Sequence, residues 1–121
     1  MHFSDNLIVP ERVLNIYTTR QQAIQINKII KMYSTPDYII TDATACVGGN
    51  SYFFLKEFKR VNMVEPDLDN FNILKINTEF QLNTFNCSYN CLKFLLKQDI
   101  VYFDPPWGGV DYKSKKKIDL F

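Results

Sequence analysis

The fold is indicated by residues 38–50, which read Tyr-Ile-Ile-Thr-Asp-Ala-Thr-Ala-Cys-Val-Gly-Gly-Asn. The apolar run Tyr38–Asp42 is short enough for a buried strand, and it passes directly into a loop of small residues, Ala43–Gly49. A Gly-Gly pair at a strand-to-helix turn lets the backbone approach a polar ligand and directs helix N–H groups toward it. The same pair also occurs in tight turns that bind nothing, so the stretch predicts an α/β unit and leaves ligand binding open.

The rest of the chain alternates short apolar runs with longer amphipathic ones, which is typical of an α/β fold with a mostly parallel sheet. Further strands are predicted at residues 61–65, 83–87 and 100–103, and helices at residues 50–59, 67–77 and 91–96. Asp67 is predicted to cap the second of these helices. Right-handed crossovers between parallel strands would place all the carboxyl ends at one edge of the sheet.

One more helix is predicted before the first strand, because Thr19 and Gln22 fit a capping box and Pro36 would end a helix. Its apolar face is predicted from side chains at helical spacing, namely Ala23, Ile26, Ile30 and Tyr33, with Ile29 widening the face. We therefore expect a single domain over residues 1–121. It would comprise a helical lead-in at 1–36, a half-sheet at 37–112 and a basic tail at 113–121.

Composition excludes several classes of protein. The chain of 121 residues is 46% hydrophobic and 22% charged, with a formal net charge of +1, which predicts a globular domain and not a disordered or broadly nucleic-acid-binding chain. No apolar run approaches the roughly 18 residues that span a bilayer, and Met1–Pro10 lacks the basic start of a signal peptide. Three cysteines and the single His2 argue against a disulfide framework and a metal site. We expect an intracellular protein of the nucleus or cytoplasm, including the host cytoplasm if it is viral, with no membrane or metal partner.

Polar side chains follow the predicted strands at the edge where their carboxyl ends meet. Asp42, Glu65, the Cys87–Asn90 turn and Asp104 all lie there, and this edge holds the ligand in open α/β sheets. Glu65 follows the glycine turn at about the spacing of an acidic residue that accepts hydrogen bonds from ribose hydroxyls. The alternative for Glu65 is a solvated carboxylate at a strand end. The loop does not match G-x-G-x-x-G or a P-loop, which disfavours dinucleotides and ATP.

The turn after the fourth strand reads Asp104-Pro105-Pro106-Trp107. Two prolines stiffen it and direct backbone carbonyls into the crevice. Asp104 and the Pro105 carbonyl can accept hydrogen bonds from an exocyclic amine, while Trp107 offers a stacking face that suits a cationic ring. The alternative is that Trp107 is a core residue. The turn therefore indicates a planar substrate that carries an amino group.

These stretches together resemble the trimethylguanosine synthases, which are S-adenosylmethionine-dependent RNA cap guanine-N2 methyltransferases. The resemblance rests on Asp42-Ala43…Gly48-Gly49-Asn50, on Glu65-Pro66-Asp67, and most specifically on Asp104-Pro105-Pro106-Trp107-Gly108-Gly109-Val110-Asp111-Tyr112. It implies a Rossmann-like class I methyltransferase sheet. It also implies methyl transfer from S-adenosyl-L-methionine to the exocyclic N2 of a 7-methylguanosine cap, with capped RNA as the partner.

The resemblance also implies roles for individual residues. The cofactor would be bound by Thr19, Asp42, Gly48, Gly49, Asn50, Glu65, Asp67, Ser88 and Asp104. The catalytic residues would be Asp104, Pro105 and Trp107, and the substrate would be held by Trp107, Gly108 and Lys113. Ser88 stands where family members commonly have an aspartate. The basic run that includes Lys113 would contact cap phosphates or RNA, with a solvated tail as the alternative.

The order of the motifs disfavours an N6-adenine methyltransferase, in which the glycine motif usually follows Asp-Pro-Pro-Trp, although another amino-group methyltransferase stays an alternative. Because a complete sheet of this class has about seven strands, we expect the sheet of this chain to be truncated after the fourth strand. This leaves an active minimal enzyme, an inactive fragment, and a non-catalytic cap- or nucleoside-binding module as hypotheses. An exposed sheet edge would favour a partner chain that completes the sheet.

Overall fold

The computed structural model describes residues 7–14 and 16–104. Its helices are α1 (Arg20–Lys31), α2 (Ser51–Glu57), α3 (Leu68–Asn77) and α4 (Tyr89–Leu92), and its strands are β1 (Ile39–Asp42), β2 (Arg60–Val64), β3 (Thr84–Phe85) and β4 (Ile100–Tyr102). A short 3-10 turn, Glu11–Val13, precedes α1. Strands and helices alternate along the chain, as predicted. In this part of the chain no helix is both long and apolar enough to cross a membrane.

The four strands form one parallel sheet in the order β3-β2-β1-β4. The chain therefore builds outward from β1 in one direction through β2 and β3, and then returns to the other side of β1 for β4. Where the winding direction reverses, the loops that leave the two neighbouring strands separate and form a crevice at the carboxyl ends. The arrangement confirms the predicted Rossmann-like α/β class and places the switch point between β1 and β4.

The core lies between the sheet and the helices that follow its strands. Ile40 and Met63 of the central strands are fully buried, as are Phe54 of α2 and Leu74 of α3. Each such side chain contributes roughly 1.5–3 kcal/mol on removal from water. Both central strands are buried at successive positions, so they lack the apolar-polar alternation of a half-exposed strand and carry buried polar residues such as Thr41 and Asn62. The core fixes α2 and α3 against the sheet, and with them the loops at its carboxyl edge.

The capping box of α1 is confirmed, whereas part of its predicted apolar face is wrong. The Thr19 hydroxyl accepts a hydrogen bond from Gln22 N at 3.2 Å, and Gln22 Oε1 accepts one from Thr19 N at 3.0 Å. Tyr33 is 77% exposed because the helix ends at Lys31, before Pro36, and the chain leaves helical spacing. Ile29 is 59% exposed because it lies about 100° around the helix from Ile30.

The third strand and fourth helix are shorter than predicted. Strand β3 consists of Thr84 and Phe85 alone, and α4 begins at Tyr89 and ends at Leu92 instead of occupying 91–96. Ser88 is its N-cap residue. A serine at this point favours a helix start two residues before the predicted one, because its extended backbone conformation suits a cap. The predicted Trp107 turn and the basic run lie outside the described residues.

Candidate active site

The loop after β1 is organised by Asp42, the last residue of that strand. Its side chain is fully buried, and Oδ2 accepts a hydrogen bond of 2.6 Å from the Ser51 hydroxyl at the start of α2. Oδ1 accepts a longer bond, 3.3 Å, from Thr44 N. Burial raises the pKa of Asp42 to about 7, and the nearby carboxylates of Asp104 and Glu65 add to this rise. Asp42 therefore shapes the loop through these two hydrogen bonds, and its carboxyl group interacts electrostatically with Asp104 and Glu65.

Glu65 links the loops that leave β1 and β2. Its side chain is 7% exposed. Oε1 accepts a hydrogen bond from Cys46 N and Oε2 accepts one from Asp67 N, both at 2.8 Å. Burial raises its pKa above the ordinary value for a glutamate. Each carboxylate oxygen keeps a second lone pair for a ligand, so the predicted ribose role is compatible with this structural one.

The glycine pair is required by the protein's own packing. We call residues 43–50 the glycine loop. Gly48 has a φ of +101°, and a Cβ there would lie 3.3 Å from Leu74 Cδ1. A Cβ on Gly49 would lie 3.1 Å from both Thr18 O and Tyr17 Cε1. We restrict the name lead-in from here on to residues 7–14 and 16–19, a part of the predicted lead-in of residues 1–36. Through Tyr17 and Thr18 it packs directly on the glycine loop, a contact that the loop sequence does not reveal.

Asn50 joins the glycine loop to both the lead-in and β4. Its Nδ2 donates to the Thr18 hydroxyl at 2.9 Å and to the Tyr102 hydroxyl at 3.4 Å. The side chain is 7% exposed, and Oδ1 has no hydrogen-bond partner among the described residues. A buried acceptor without a partner costs about 1–3 kcal/mol. A ligand with an N–H or O–H donor would remove that cost.

The end of β4 is attached to the end of β1 by two hydrogen bonds. Ala43 N donates to Tyr102 O at 2.9 Å, and Asp104 N donates to the Thr44 hydroxyl at 2.8 Å. These bonds hold Asp104 beside Asp42, and partial burial raises the pKa of Asp104 as well. The site thus places two carboxyl groups and one unpaired amide oxygen together, which suits a ligand that carries positive charge and hydrogen-bond donors.

A groove of ≈ 820 Å³ opens beside these residues. Its walls are the lead-in at residues 16–18, one face of α1 that includes Gln21 and Gln25, and the end of β4 at Tyr102 and Asp104. The volume falls within the range of sites for molecules of nucleoside size. The groove therefore adjoins the edge at which the sequence placed a ligand.

The structure brings some of the predicted site residues together and separates others. Asp42, Gly49, Asn50 and Asp104 meet around the switch point, whereas Glu65 and Asp67 lie at the end of β2. Asp67 caps α3 by accepting a bond from Asn70 N at 2.9 Å. Two further predicted residues are used locally: Thr19 is the exposed cap of α1, and Ser88 lies at the start of α4 with its Oγ 3.4 Å from Cys91 Sγ. Pro105, Trp107, Gly108 and Lys113 lie outside the described residues.

Sequence reasoning missed Tyr102 and did not place Thr18 among the cofactor-binding residues. Tyr102 is the last residue of β4, so the rule that ligands lie at the carboxyl ends of strands could have indicated it. Thr18 precedes the first helix, and its contact with Asn50 joins residues 32 positions apart. No local sequence pattern encodes such a contact.

Comparison with known proteins identifies the family. Residues 37–121 match the model of the RNA cap guanine-N2 methyltransferase family. The chain belongs to this family. It is also 39% identical over 89 residues to the "Uncharacterized protein L320" of Acanthamoeba polyphaga mimivirus, a match that covers 68% of this chain and 35% of that protein. The chain thus spans about a third of the length of that relative.

Membership of a methyltransferase family implies S-adenosylmethionine as the methyl donor in general terms, and the site fits that molecule. The cofactor carries an ammonium group, a positively charged sulfonium and a ribose diol. The unpaired Oδ1 of Asn50 offers an acceptor for an N–H donor, and the carboxyl groups of Asp42 and Asp104 favour positive charge nearby. Among residues 7–14 and 16–104, no group of three or more histidine, cysteine, aspartate or glutamate residues could hold a metal ion.

Proposed function

We propose that this methyltransferase-family chain binds S-adenosylmethionine at the carboxyl edge of β1 and β2, and directs methylation to the exocyclic N2 of a 7-methylguanosine RNA cap. The observation that carries the proposal is the meeting of Asp42, Asn50 and Asp104 at the switch point, with Asn50 Oδ1 left without a partner. The sequence Asp104-Pro105-Pro106-Trp107-Gly108-Gly109 supports the choice of an amino group on a planar, cationic base.

Each residue has a defined part in this proposal. Asn50 accepts a hydrogen bond from the ammonium group of the cofactor, and Glu65 accepts bonds from the ribose. Asp104 accepts an N–H of the acceptor amine and orients its lone pair, while Trp107 stacks on the methylated guanine. When bound, S-adenosylmethionine supplies a methyl group on a positively charged sulfur. Positioning and orientation of the two reactants supply much of the rate. The methylated nitrogen then loses its extra proton to solvent after transfer, so the chemistry needs no histidine.

Calorimetric titration of the 121-residue chain with S-adenosylhomocysteine and with 7-methyl-GTP tests the binding half of the proposal. Mass spectrometry of a short capped RNA after incubation with S-adenosylmethionine tests the transfer. Matched RNAs that carry an unmethylated guanosine cap, or no cap and an internal adenosine, identify the acceptor. We expect binding of both ligands and a gain of methyl groups at N2 of the 7-methylguanosine. Methylation of adenosine instead would refute the acceptor assignment.

A second candidate is a cap- or nucleoside-binding module that a partner chain completes. It is favoured by the position of β4 as an edge strand of the sheet formed by the described residues. Binding of 7-methyl-GTP without binding of S-adenosylhomocysteine would support it. Capped RNA as the partner and an intracellular location, nuclear or cytoplasmic, remain part of the proposal under either candidate.

A further inference from the structure

Asn77, the last residue of α3, forms hydrogen bonds with three backbone groups through its side chain. Its Oδ1 accepts a hydrogen bond from Ile8 N at 2.8 Å, and its Nδ2 donates to Ile8 O at 2.8 Å and to Val47 O at 2.7 Å. The side chain is 6% exposed. Ile8 belongs to the lead-in and Val47 to the glycine loop. One buried amide therefore connects α3 to both segments.

Ten residues after Ile8, the lead-in contacts the glycine loop directly. The Thr18 hydroxyl accepts a bond from Asn50, and Gly49 lies against the backbone of Thr18 and the ring of Tyr17. The same residues, Tyr17 and Thr18, form part of the groove wall. The lead-in is thus attached to the glycine loop at one end through Asn77 and contributes to the groove at the other.

We propose that Asn77 is a positioning residue that couples the glycine loop to the groove, so that a ligand at the loop strengthens binding in the groove. This inference rests on the proposed function, with S-adenosylhomocysteine as the loop ligand and 7-methyl-GTP as the groove ligand. Each ligand would contact a segment that the bonds of Asn77 and Thr18 hold to the other, so a ligand that stabilises these contacts favours the second binding event, and the coupling is reciprocal.

The chemistry of the amide explains why an asparagine fits this position. The Ile8 N–H needs an acceptor, whereas the carbonyls of Ile8 and Val47 need donors, and one planar amide supplies both. Aspartate at the same position would keep the bond from Ile8 N but would place negative charge against two carbonyl oxygens. Alanine would leave all three groups unpaired, and the buried Val47 carbonyl most severely.

Two sets of variants separate coupling from general stability. Asn77→Asp and Asn77→Ala weaken the link from the helix side. Ile8→Pro removes the N–H that Ile8 donates to Asn77, without a substitution in α3 or the glycine loop. Ile8→Ala is its matched control, because it keeps that N–H and shortens only a side chain that is 46% exposed. Asn70→Ala is a second control: it removes the exposed 2.6 Å bond between α3 and Arg12 of the lead-in.

The measurements are amide hydrogen exchange of the lead-in without ligand, and the affinity for 7-methyl-GTP with and without saturating S-adenosylhomocysteine. We expect Asn77→Ala and Ile8→Pro to speed exchange at residues 7–14 by about tenfold, in line with the loss of one buried hydrogen bond or more. In the wild type, S-adenosylhomocysteine should tighten 7-methyl-GTP binding about fivefold or more. In Asn77→Ala and Ile8→Pro this gain in affinity should fall toward onefold, whereas Ile8→Ala and Asn70→Ala should keep the wild-type gain.

The outcomes distinguish this inference from the proposed function. Exchange without ligand tests the attachment of the lead-in even if the wild type binds neither compound, a result that would refute the proposed function alone. Unchanged exchange in Ile8→Pro would overturn the role of Asn77. The role would also be overturned if exchange rises but S-adenosylhomocysteine still tightens 7-methyl-GTP binding as much as in the wild type. If Asn77→Ala fails to fold, Ile8→Pro and Asn77→Asp decide the question by the same two readouts.

Discussion

Replacement of Asp42 by asparagine should remove a pH dependence of stability that the buried carboxyl group causes. The pKa of Asp42 is raised from 3.8 to about 7, mainly by burial. Between these values the folded chain keeps the proton while the unfolded chain releases it. The protonated carboxyl group therefore stabilises the fold fully below about pH 4, and this contribution is lost as the pH rises through about 7.

The magnitude follows from the difference between the two pKa values. About three pH units at about 1.4 kcal/mol each give on the order of 4 kcal/mol. That is a large part of the 5–15 kcal/mol that stabilises a typical domain. In Asp42→Asn the side chain is neutral at every pH, and it can still accept from Thr44 N and donate to the Ser51 oxygen. The variant should therefore be the more stable protein near pH 8.

Urea unfolding followed by circular dichroism at about pH 4.5, 6, 7 and 8.5 measures this effect. Glu65 and Asp104 also have raised pKa values, but burial is the largest cause of both shifts and is the same in both proteins, so most of their contribution cancels in the difference. We expect the free energy of unfolding of the wild type, relative to Asp42→Asn, to fall by several kcal/mol across this range. A difference that stays constant within about 0.5 kcal/mol would refute the reasoning, because it would mean that Asp42 titrates alike in both states.

The same carboxyl group should connect pH to cofactor binding. A cationic ligand beside Asp42 favours its ionised form, so binding of S-adenosylmethionine near pH 6 should release protons. Calorimetric titrations in two buffers with different ionisation enthalpies measure this release. The release should be smaller in Asp42→Asn. Equal release in both proteins would show that the bound cofactor does not sense Asp42.

Three further substitutions test individual contacts. Trp107→Ala should weaken binding of 7-methyl-GTP far more than binding of S-adenosylhomocysteine in calorimetry; equal losses would mean that Trp107 is a core residue. Glu65→Ala should weaken S-adenosylhomocysteine binding by about 1–3 kcal/mol, and an unchanged dissociation constant would remove the ribose assignment. Gly48→Ala should lower the melting temperature, because the residue has a φ of +101° and lies against Leu74; an unchanged midpoint would contradict that strain.

The sequence was sufficient for the sheet and for the edge on which the site lies. Buried parallel strands are short and largely apolar, so β1 and β2 could be recognised from local composition although each contains a buried polar residue. Asp67 and the Thr19 capping box could be predicted because a cap depends on residues three positions apart. Predictions failed where packing instead of spacing decides exposure, as for Ile29 and Tyr33.

The buried amides show the limit of prediction from sequence most clearly. Asn27, Asn62 and Asn77 are each 6% exposed or less, although asparagine is usually a surface residue. Asn62 donates to Thr41 across the sheet, and Asn77 bonds to Ile8 from 69 positions away. The partners of Asn62 and Asn77 are backbone or side-chain groups that become neighbours only after the chain has folded. Local sequence patterns do not predict such pairs.

The sequence by itself determined the α/β class, the parallel direction of the strands and the polar residues at their carboxyl ends, because each depends on short-range periodicity and on the right-handed crossover. Only the tertiary structure decided how those residues are used. It buried Asp42 completely, placed the lead-in over Gly49, left Oδ1 of Asn50 without a partner among the described residues, and made Asn77 the link between them. These features arise from contacts between segments far apart in the chain, where burial and hydrogen bonding set the properties of each group.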